Sequence, residues 1–355
     1  MTSRERVQAA LQHRDVDRTP VFEYVLLPPL ADDILGRPLV PGAMESGWEA
    51  SVRQEASNRL DLATALGHDM MYVTPNAPRP VAASQSSSGS ADVPEDPVER
   101  LRMRNNRGDP SGPGDDTLLI YACLKEQMAR RGVDLPIFAP AWAHGVWTDV
   151  DLMQTMILDP PTAHEHFALA TRRSLQLVEK YVQLGIDMIG VGGDFAGNRP
   201  IISPEAYRTF IVPEVRTVCD AVHAAGRYAV NASDGNLWPV IDDFLIGCGV
   251  DGYAEVDMHA GMDLRRLKDA YGDRVTFFGN LDCGNTLSFG SPDEVRRHVI
   301  DCIEAGWGSG GHILCASNAI TASVPAVNYL AAVNAYREHF GLPRLPTLTA
   351  HAAGD

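Results

Sequence analysis

Short, continuous apolar runs alternate along this chain with longer segments whose apolar residues recur at helical spacing. A strand of a parallel sheet is buried on both faces and therefore reads as an unbroken apolar run. Eight runs fit that description: Val21–Val25, Met70–Thr74, Pro136–Pro140, Met188–Val191, Tyr228–Asn231, Gly252–Val256, Val275–Gly279 and His312–Cys315. A helix follows each of them, which predicts an α/β fold of the (β/α)8 TIM-barrel type. An open doubly wound sheet is the alternative, but no GxGxxG follows any of the runs.

One region interrupts this alternation after the second predicted strand. Residues 82–116 are rich in Ser, Gly, Pro, Asp and Arg, a composition that buries little apolar surface. We expect a long mobile insertion there, with a hairpin near Glu99–Asn105. A lid over an active site is the functional interpretation of this segment. The regular alternation elsewhere favours a single domain over residues 1–355.

Charge and cysteine content restrict the class of function. The formal net charge is −16 and the basic residues are scattered, so a nucleic acid would meet net repulsion. No apolar run reaches the roughly 18–20 residues of a membrane span. The six cysteines form no CxxC pair, which is typical of reduced thiols in a cytoplasmic protein. We therefore expect a cytoplasmic protein that acts on a small molecule, without a nucleic-acid or membrane partner.

The stretch Tyr228–Asn236 is the strongest local indication of a site. Its apolar run changes abruptly to Asn231, Ser233 and Asp234, and TIM barrels place their chemistry at the carboxyl ends of the strands. Capping of the next helix by Ser233 or Asp234 is the alternative.

Residues at the carboxyl ends of the other predicted strands should lie close to this stretch, around the opening at one end of the barrel, which we call the mouth. Several carboxylates that face one cavity either share protons, with raised pKa values, or hold a cation. We expect acid–base chemistry from Asp194, Glu255 and His144. We expect substrate contacts from Glu23, Tyr24, Asn76, Trp142, Asn231, Ser233, Asp234, Asn280, Asp282 and Asn318. Each also has a structural interpretation: Asp282 as a helix cap, Glu23 as the partner of an arginine, Trp142 as packing.

Several motifs along the chain are those of a known family. They are Arg4-Glu-Arg-Val-Gln-Ala-Ala-Leu-Gln-His13, Asp17-Arg-Thr-Pro20, Ser203-Pro-Glu-Ala-Tyr207, Phe278-Gly-Asn-Leu-Asp282 and Gly310-Gly-His-Ile-Leu314. In this order they resemble the uroporphyrinogen decarboxylase superfamily over essentially the whole chain outside residues 82–116. The resemblance implies a TIM barrel and, together with the base rate for soluble oligomers, a homodimer.

The resemblance points to one branch of that superfamily more than to the other. The decarboxylase branch carries an arginine loop of the form RQAGR after its first strand, whereas Glu23–Pro29 contains no arginine. The remaining spacing is more similar to the branch that moves methyl groups between corrinoids and thiols. That branch binds zinc through His-x-Cys and a later Cys, and the matching positions here are Asn231, Ser233 and Asn318. The resemblance therefore implies a lost zinc site and no metal, while Cys315 is interpreted as a core thiol.

Three hypotheses follow. The first is a methyltransferase-like enzyme with replaced zinc ligands, whose methyl donor is a methoxylated compound or a corrinoid on a partner protein. The second is a cofactor-independent decarboxylase or other lyase acting on a small carboxylic acid. The third is a non-catalytic barrel that binds a corrinoid or aromatic ligand, although the chain has no Asp-x-His-x-x-Gly cobalamin motif.

Overall fold

The computed structural model describes residues 1–42, 47–80, 94–107 and 114–346. Its centre is a seven-stranded sheet whose strands follow one another in sequence order, each parallel to its neighbour. The strands are β1 Met71–Tyr72, β2 Ile137–Pro140, β3 Met188–Val191, β4 Tyr228–Ala232, β5 Gly252–Ala254, β6 Thr276–Phe278 and β7 His312–Ile313. The α/β class with a parallel, TIM-barrel-like sheet is thus confirmed.

Helices pack around the sheet. They are α1 Ser3–Leu11, α2 Leu30–Leu35, α3 Trp48–Leu66, α4 Pro97–Asn106, α5 Leu119–Arg131, α6 Val150–Leu158, α7 Pro160–Gln183, α8 Pro204–Ala206, α9 Val212–Ala224, α10 Leu264–Tyr271, α11 Thr286–Phe289, α12 Pro292–Gly306 and α13 Ala326–His339. Short 3-10 or π-helical turns occupy Asp115–Leu118, Tyr207–Ile211, Trp238–Val240, Asp243–Gly247 and Met258–Ala260. Among the described residues, no helix is both long and apolar enough to cross a membrane.

The sheet separates two kinds of core. Side chains on its concave face form an inner core that includes Phe22, Phe138, Met188, Val230, Ala232, Phe278 and Cys315. Side chains on the convex face, such as Ala229 and Tyr253, pack against the surrounding helices. Both faces of each strand are therefore apolar, as expected for parallel strands covered by helices.

The first predicted strand, Val21–Val25, is not a strand of this sheet. Val21 forms a parallel bridge with Leu314, and Leu26 forms one with Ile320, so the segment follows the β7 side. On the side that faces β1, this segment has one backbone–backbone hydrogen bond among the described residues. The Asp69 N–H donates it to the Val21 carbonyl at 2.7 Å. The segment thus occupies the gap between β7 and β1 but pairs mainly on one side.

A buried ion cluster fixes the beginning of this segment. The Asp69 carboxylate accepts hydrogen bonds from Arg6 at 2.7 Å, Arg18 at 2.6 Å, Ser3 at 2.9 Å and the Val21 N–H at 3.0 Å. The Asp69 side chain is fully buried and that of Arg6 is 6% exposed. Because two arginines and two further hydrogen-bond donors surround the Asp69 carboxylate, its negative charge is compensated.

The expectation for residues 82–116 is only partly open to comparison. Residues 82–93 and 108–113 lie outside the described residues, so the predicted mobility there stays a prediction. The hairpin near Glu99–Asn105 is wrong, because Pro97–Asn106 is an α-helix. Asp96 caps its first turn by accepting from the Val98 N–H, and Pro97 at the first helical position already has a helical φ.

Candidate active site

Polar side chains from two neighbouring loops meet beyond the carboxyl ends of β3 and β4. The buried Ser233 hydroxyl donates a 2.8 Å hydrogen bond to a carboxylate oxygen of Asp194. The Phe195 N–H in turn donates to the Ser233 oxygen at 3.3 Å. Ser233 therefore joins the two loops and orients the Asp194 carboxylate.

A second contact brings in the loop after β7. Asn318 Nδ2 donates to both carboxylate oxygens of Asp234, at 2.9 and 2.8 Å. Burial is the main reason that the pKa of Asp234 is raised to about 6; the Asn318 hydrogen bond lowers it, and the charges of Asp194 and Asp257 raise it. Asp194, Ser233, Asp234 and Asn318 form one group, which we call the polar cluster.

Glu255 lies next to the polar cluster, directly after β5. Burial, with a further contribution from the charges of Asp234 and Asp194, raises its pKa to about 8. Part of its surface stays open to the mouth, but protein atoms enclose most of the side chain. Its φ of 67° is uncommon for a residue other than glycine, and such strained positions cluster at functional sites. At neutral pH, Glu255 is therefore a protonated carboxyl group that can donate a proton.

Aromatic rings form the floor of this mouth. The Tyr24 and Tyr72 ring centroids are 4.3 Å apart, and Trp142 Nε1 donates to the Tyr72 hydroxyl at 3.2 Å. All three rings are partly exposed at the top of the inner core. Trp142 lies flat over Gly190, where a Cβ would overlap its ring. We call Tyr24, Tyr72 and Trp142 the aromatic floor.

His144 does not lie at this mouth, contrary to our expectation for an acid–base residue. It is buried against α7, where its Nε2 is 2.9 Å from the Thr171 hydroxyl, which donates to Glu214. Burial lowers the pKa of His144 to about 4, so the ring is neutral at physiological pH. Its Nε2 thus has a hydrogen-bond partner, while its Nδ1 is buried without one among the described residues.

Asn231 also points away from the mouth. Val230 and Ala232 belong to the inner core, so Asn231 faces the helices by strand alternation. Its amide lies against Gly192, where a Cβ would overlap it, and beside Tyr207. Its Nδ2 is buried without a hydrogen-bond partner. Asn231 thus does not join Ser233 and Asn318 as the resemblance implied.

Glu23 and Asn76 have other surroundings. The Glu23 carboxyl accepts from the Ala316 N–H, while its Oε2 is buried without a partner; burial raises its pKa to about 8. Asn76 accepts from the Ile120 N–H at 3.0 Å and donates to the Asp116 carbonyl at 3.0 Å, so it anchors the entry to α5.

Asn280 and Asp282 lie outside the polar cluster as well. The Asn280 side chain is 3.6 Å from Cys302 Sγ on α12. Asp282 accepts from the N–H groups of Asn285 and Thr286, both at 3.0 Å. The pKa of Asp282 falls to about 2, because bonds to His259, Thr286 and Asn285 outweigh burial. Asp282 therefore caps a turn, the structural interpretation that its sequence position also allowed.

Sequence analysis missed Tyr72. It lies in the middle of a predicted strand rather than at its end, and Met70 two residues earlier belongs to the inner core. The period-2 alternation of strands would have placed Tyr72 on that same concave face.

The residues present do not fit the zinc site of the methyltransferase branch. Asn231 faces the helices, the Ser233 hydroxyl is bonded to Asp194, and Asn318 is bonded to Asp234. Across the described ranges, no three His, Cys, Asp or Glu side chains are grouped to hold a metal ion. Cys315 is buried in the inner core, where burial raises the pKa of its thiol.

Comparison with known proteins identifies the family. The family model for uroporphyrinogen decarboxylase (URO-D) matches residues 148–339, which is more than half of the 355 residues. The chain therefore belongs to the uroporphyrinogen decarboxylase family. Among curated proteins, none matches the sequence significantly.

A solved structure shares the fold of this chain. A methyltransferase from Methanosarcina mazei has a TM-score of 0.68 and 20% identity, covering 96% of this chain and 99% of that one. D-psicose 3-epimerase from Clostridium cellulolyticum H10 with D-tagatose has a TM-score of only 0.40 and 13% identity, covering 84% and 93%. The first supports the TIM-barrel-like architecture; the second is too distant to support an argument.

Proposed function

We propose that this protein is an enzyme that removes a methyl group from a small methoxylated molecule, with Glu255 as the proton donor. The observation that carries the proposal is the position of Glu255 directly after β5 and next to Asp194 and Asp234, with its pKa raised to about 8. A carboxyl group that stays protonated at neutral pH is suited to general acid catalysis. The methyltransferase-like kind is supported by the family match and by the fold shared with the Methanosarcina methyltransferase.

In the proposed step, the methyl group passes from the donor oxygen to the acceptor. The bond between the methyl carbon and the donor oxygen breaks, and its electron pair stays on the oxygen, which takes the proton of Glu255. An electron pair of the acceptor forms the new bond to the methyl carbon. Glu255 is left as a carboxylate and regains a proton from solvent.

The polar cluster raises the proton affinity of Glu255. Asp194 and Asp234 act on it through charge alone, and both raise its pKa. Ser233 and Asn318 hold these two carboxylates in place by direct hydrogen bonds. We assign Glu255 as the catalytic residue and the other four as positioning residues.

The acceptor in this proposal is a soft nucleophile, such as the reduced corrinoid of a partner protein. Zinc takes no part in the proposed step, because the residues that the structure describes do not fit a zinc site. The decarboxylase alternative is less favoured, since a carboxylate substrate would meet the charges of Asp194 and Asp234. A purely ligand-binding role is less favoured, because it does not require a carboxyl group with a raised pKa at Glu255.

The test measures methyl transfer from a panel of methoxylated aromatic compounds to reduced cobalamin, followed by absorbance. We expect activity that falls as the pH rises through about 8, and a loss of roughly 10²–10⁴-fold in Glu255→Gln. His144→Gln, buried but remote from the mouth, is the control and should keep the wild-type pH profile. Carbon dioxide release from small carboxylic acids without methyl transfer would instead identify a decarboxylase, and binding without turnover a ligand-binding protein.

The same proposal includes the finer architecture. We propose that residues 21–26 occupy the place of the eighth strand of a (β/α)8 barrel, between β7 and β1, and that residues 1–355 form one domain. Cytoplasmic location and a homodimer complete the proposal; sedimentation at micromolar concentration tests the homodimer, and a monomer would remove it.

A further inference from the structure

A cavity of about 200 Å³ lies beside the aromatic floor. Its wall comes from residues 21–28, which we call the N-terminal segment, from the loop after α2, from α3 and from β1. Apolar side chains make up most of its wall, among them Leu26, Leu39, Leu62, Ala63 and Val73. It extends from Thr74, beyond the carboxyl end of β1, to His68, before its amino end.

The cavity exists because the N-terminal segment forms its backbone hydrogen bonds mainly on the β7 side and leaves a separation from β1. Phe22 and Leu27 donate backbone hydrogen bonds to Leu314 and Ile320, both on the β7 side. Within the described ranges, no backbone hydrogen bond joins residues 23–26 to β1. The two segments therefore lie apart there, and side chains from α3 fill the separation only in part.

The cavity shares its inner wall with the candidate active site. Tyr24 and Tyr72 line the cavity and also form two of the three rings of the aromatic floor. Burial is the main cause that raises the pKa of both phenols, and the charge of Glu255 raises it as well. A ligand in the cavity would have one end against the two tyrosine rings of the aromatic floor.

We propose that this cavity binds the apolar body of the methyl donor, a single aromatic ring or an alkyl group of similar size. The inference rests on the proposed function and names the substrate class of that site. The volume agrees with the class, since a dry apolar cavity of about 150 Å³ is enough to bind benzene. The two tyrosine rings at the wall, tilted by 40° to each other, offer an aromatic surface that a planar ring can contact.

The polar groups of the wall favour a neutral ligand. Arg59 lines the cavity but is paired with Glu55 at 2.7 Å, so its charge is already compensated. Glu23, also in the wall, has a carboxyl oxygen without a partner, and burial raises its pKa to about 8, so the protonated carboxyl can donate a hydrogen bond to an ether or hydroxyl oxygen. A ring with an ether or hydroxyl substituent satisfies these surroundings better than a benzoate.

The experiment uses anisole as the probe and isothermal titration calorimetry as the readout. We expect anisole to bind the wild-type chain and Ala63→Phe to weaken binding at least tenfold, because the new ring occupies the cavity. Ala65→Phe, on the exposed side of the same helix, is the matched control and should bind like wild type. Val40→Trp narrows the cavity from a half-exposed position and gives a second test if Ala63→Phe does not fold.

The outcomes separate this inference from the proposed function. Wild-type affinity for anisole in folded Ala63→Phe and Val40→Trp, or absent binding in the wild type, overturns the cavity assignment. Loss of binding in both variants supports the cavity assignment. If no methyl donor is turned over in that case, the proposed function is wrong while the cavity assignment stands.

Discussion

Asn318 holds both carboxylate oxygens of Asp234 with one amide nitrogen, at 2.9 and 2.8 Å. These two residues come from loops 84 positions apart, after β7 and β4. A carboxamide thus occupies a place at the mouth where the resemblance implied a metal ligand. The contact keeps Asp234 more acidic than its burial alone would allow.

Asn318→Ala should raise the pKa of Asp234 above its value of about 6. A hydrogen bond to a charged group contributes about 1.5–3 kcal/mol, which corresponds to a shift of roughly 1–2 pKa units. Carboxyl-carbon NMR titration measures it, with Asp234→Asn to assign the resonance. An unchanged titration would mean that the two side chains do not meet in solution.

Engineered zinc binding tests which side chains converge. The variant Asn231→His/Ser233→Cys/Asn318→Cys should bind no tight zinc, because residue 231 faces the helices. The variant Ala232→His/Asn318→Cys, which keeps Asp234, should bind about one zinc ion, since Ala232 lies on the inner face. Elemental analysis after dialysis gives the answer, and tight zinc in the first variant alone would reverse the assignment of faces.

His144→Gln should lower the free energy of unfolding by about 1–3 kcal/mol, because the buried bond to Thr171 is perturbed. The pH dependence of activity should stay as in the wild type. Urea unfolding and a pH–rate profile give the two readouts. A changed profile with unchanged stability would restore His144 as an acid–base residue.

Asp69→Asn should cost about 3–5 kcal/mol of stability, because Arg6 and Arg18 lose their buried counter-charge. Asp17→Asn is the matched control: Asp17 also pairs with Arg6, but its side chain is 42% exposed. We expect a much smaller effect there, since solvent screens the pair. Equal losses in urea unfolding would show that burial of Asp69 is not what matters.

Stability should decrease as pH rises from about 4.5 to 8. Burial raises the pKa values of Glu23 and Glu255 from 4.5 to about 8, so the folded state holds these protons more tightly than the unfolded chain. Their contribution is complete below pH 4.5 and lost by pH 8, at a rate of at most about 1.4 kcal/mol per pH unit for each group. Glu255→Gln should flatten this slope in urea unfolding between pH 5 and 9; an unaltered slope contradicts the raised pKa.

The sequence predicted the positions of the seven strands well, because helix-covered parallel strands are apolar throughout. Because both faces of such strands are apolar, the sequence does not reveal which face of the sheet each side chain lies on. Asn231 follows an apolar run in which Ala229 faces the helices and Val230 faces the inner core, so composition did not distinguish the faces. Asp194, Ser233, Asp234 and Asn318 converge because they lie in loops at one end of the sheet, where strand order alone fixes proximity.

The remaining differences have local causes. Val21–Val25 has the apolar pattern of a strand, but sequence does not reveal that it bonds mainly to one neighbour. The helix Pro97–Asn106 was missed although Asp96 and Pro97 form a clear start signal. The surrounding Ser- and Gly-rich composition outweighed that signal in our interpretation.

The one-sided pairing of the N-terminal segment has an evolutionary consequence. The cavity wall comes from the first 74 residues, whereas Asp194, Asp234, Glu255 and Asn318 follow β3, β4, β5 and β7. Substitutions at cavity positions other than Tyr24 and Tyr72 therefore leave these polar groups unchanged. Under the proposed function, substrate preference can evolve through the amino-terminal part of the chain while the polar groups of the candidate site stay the same.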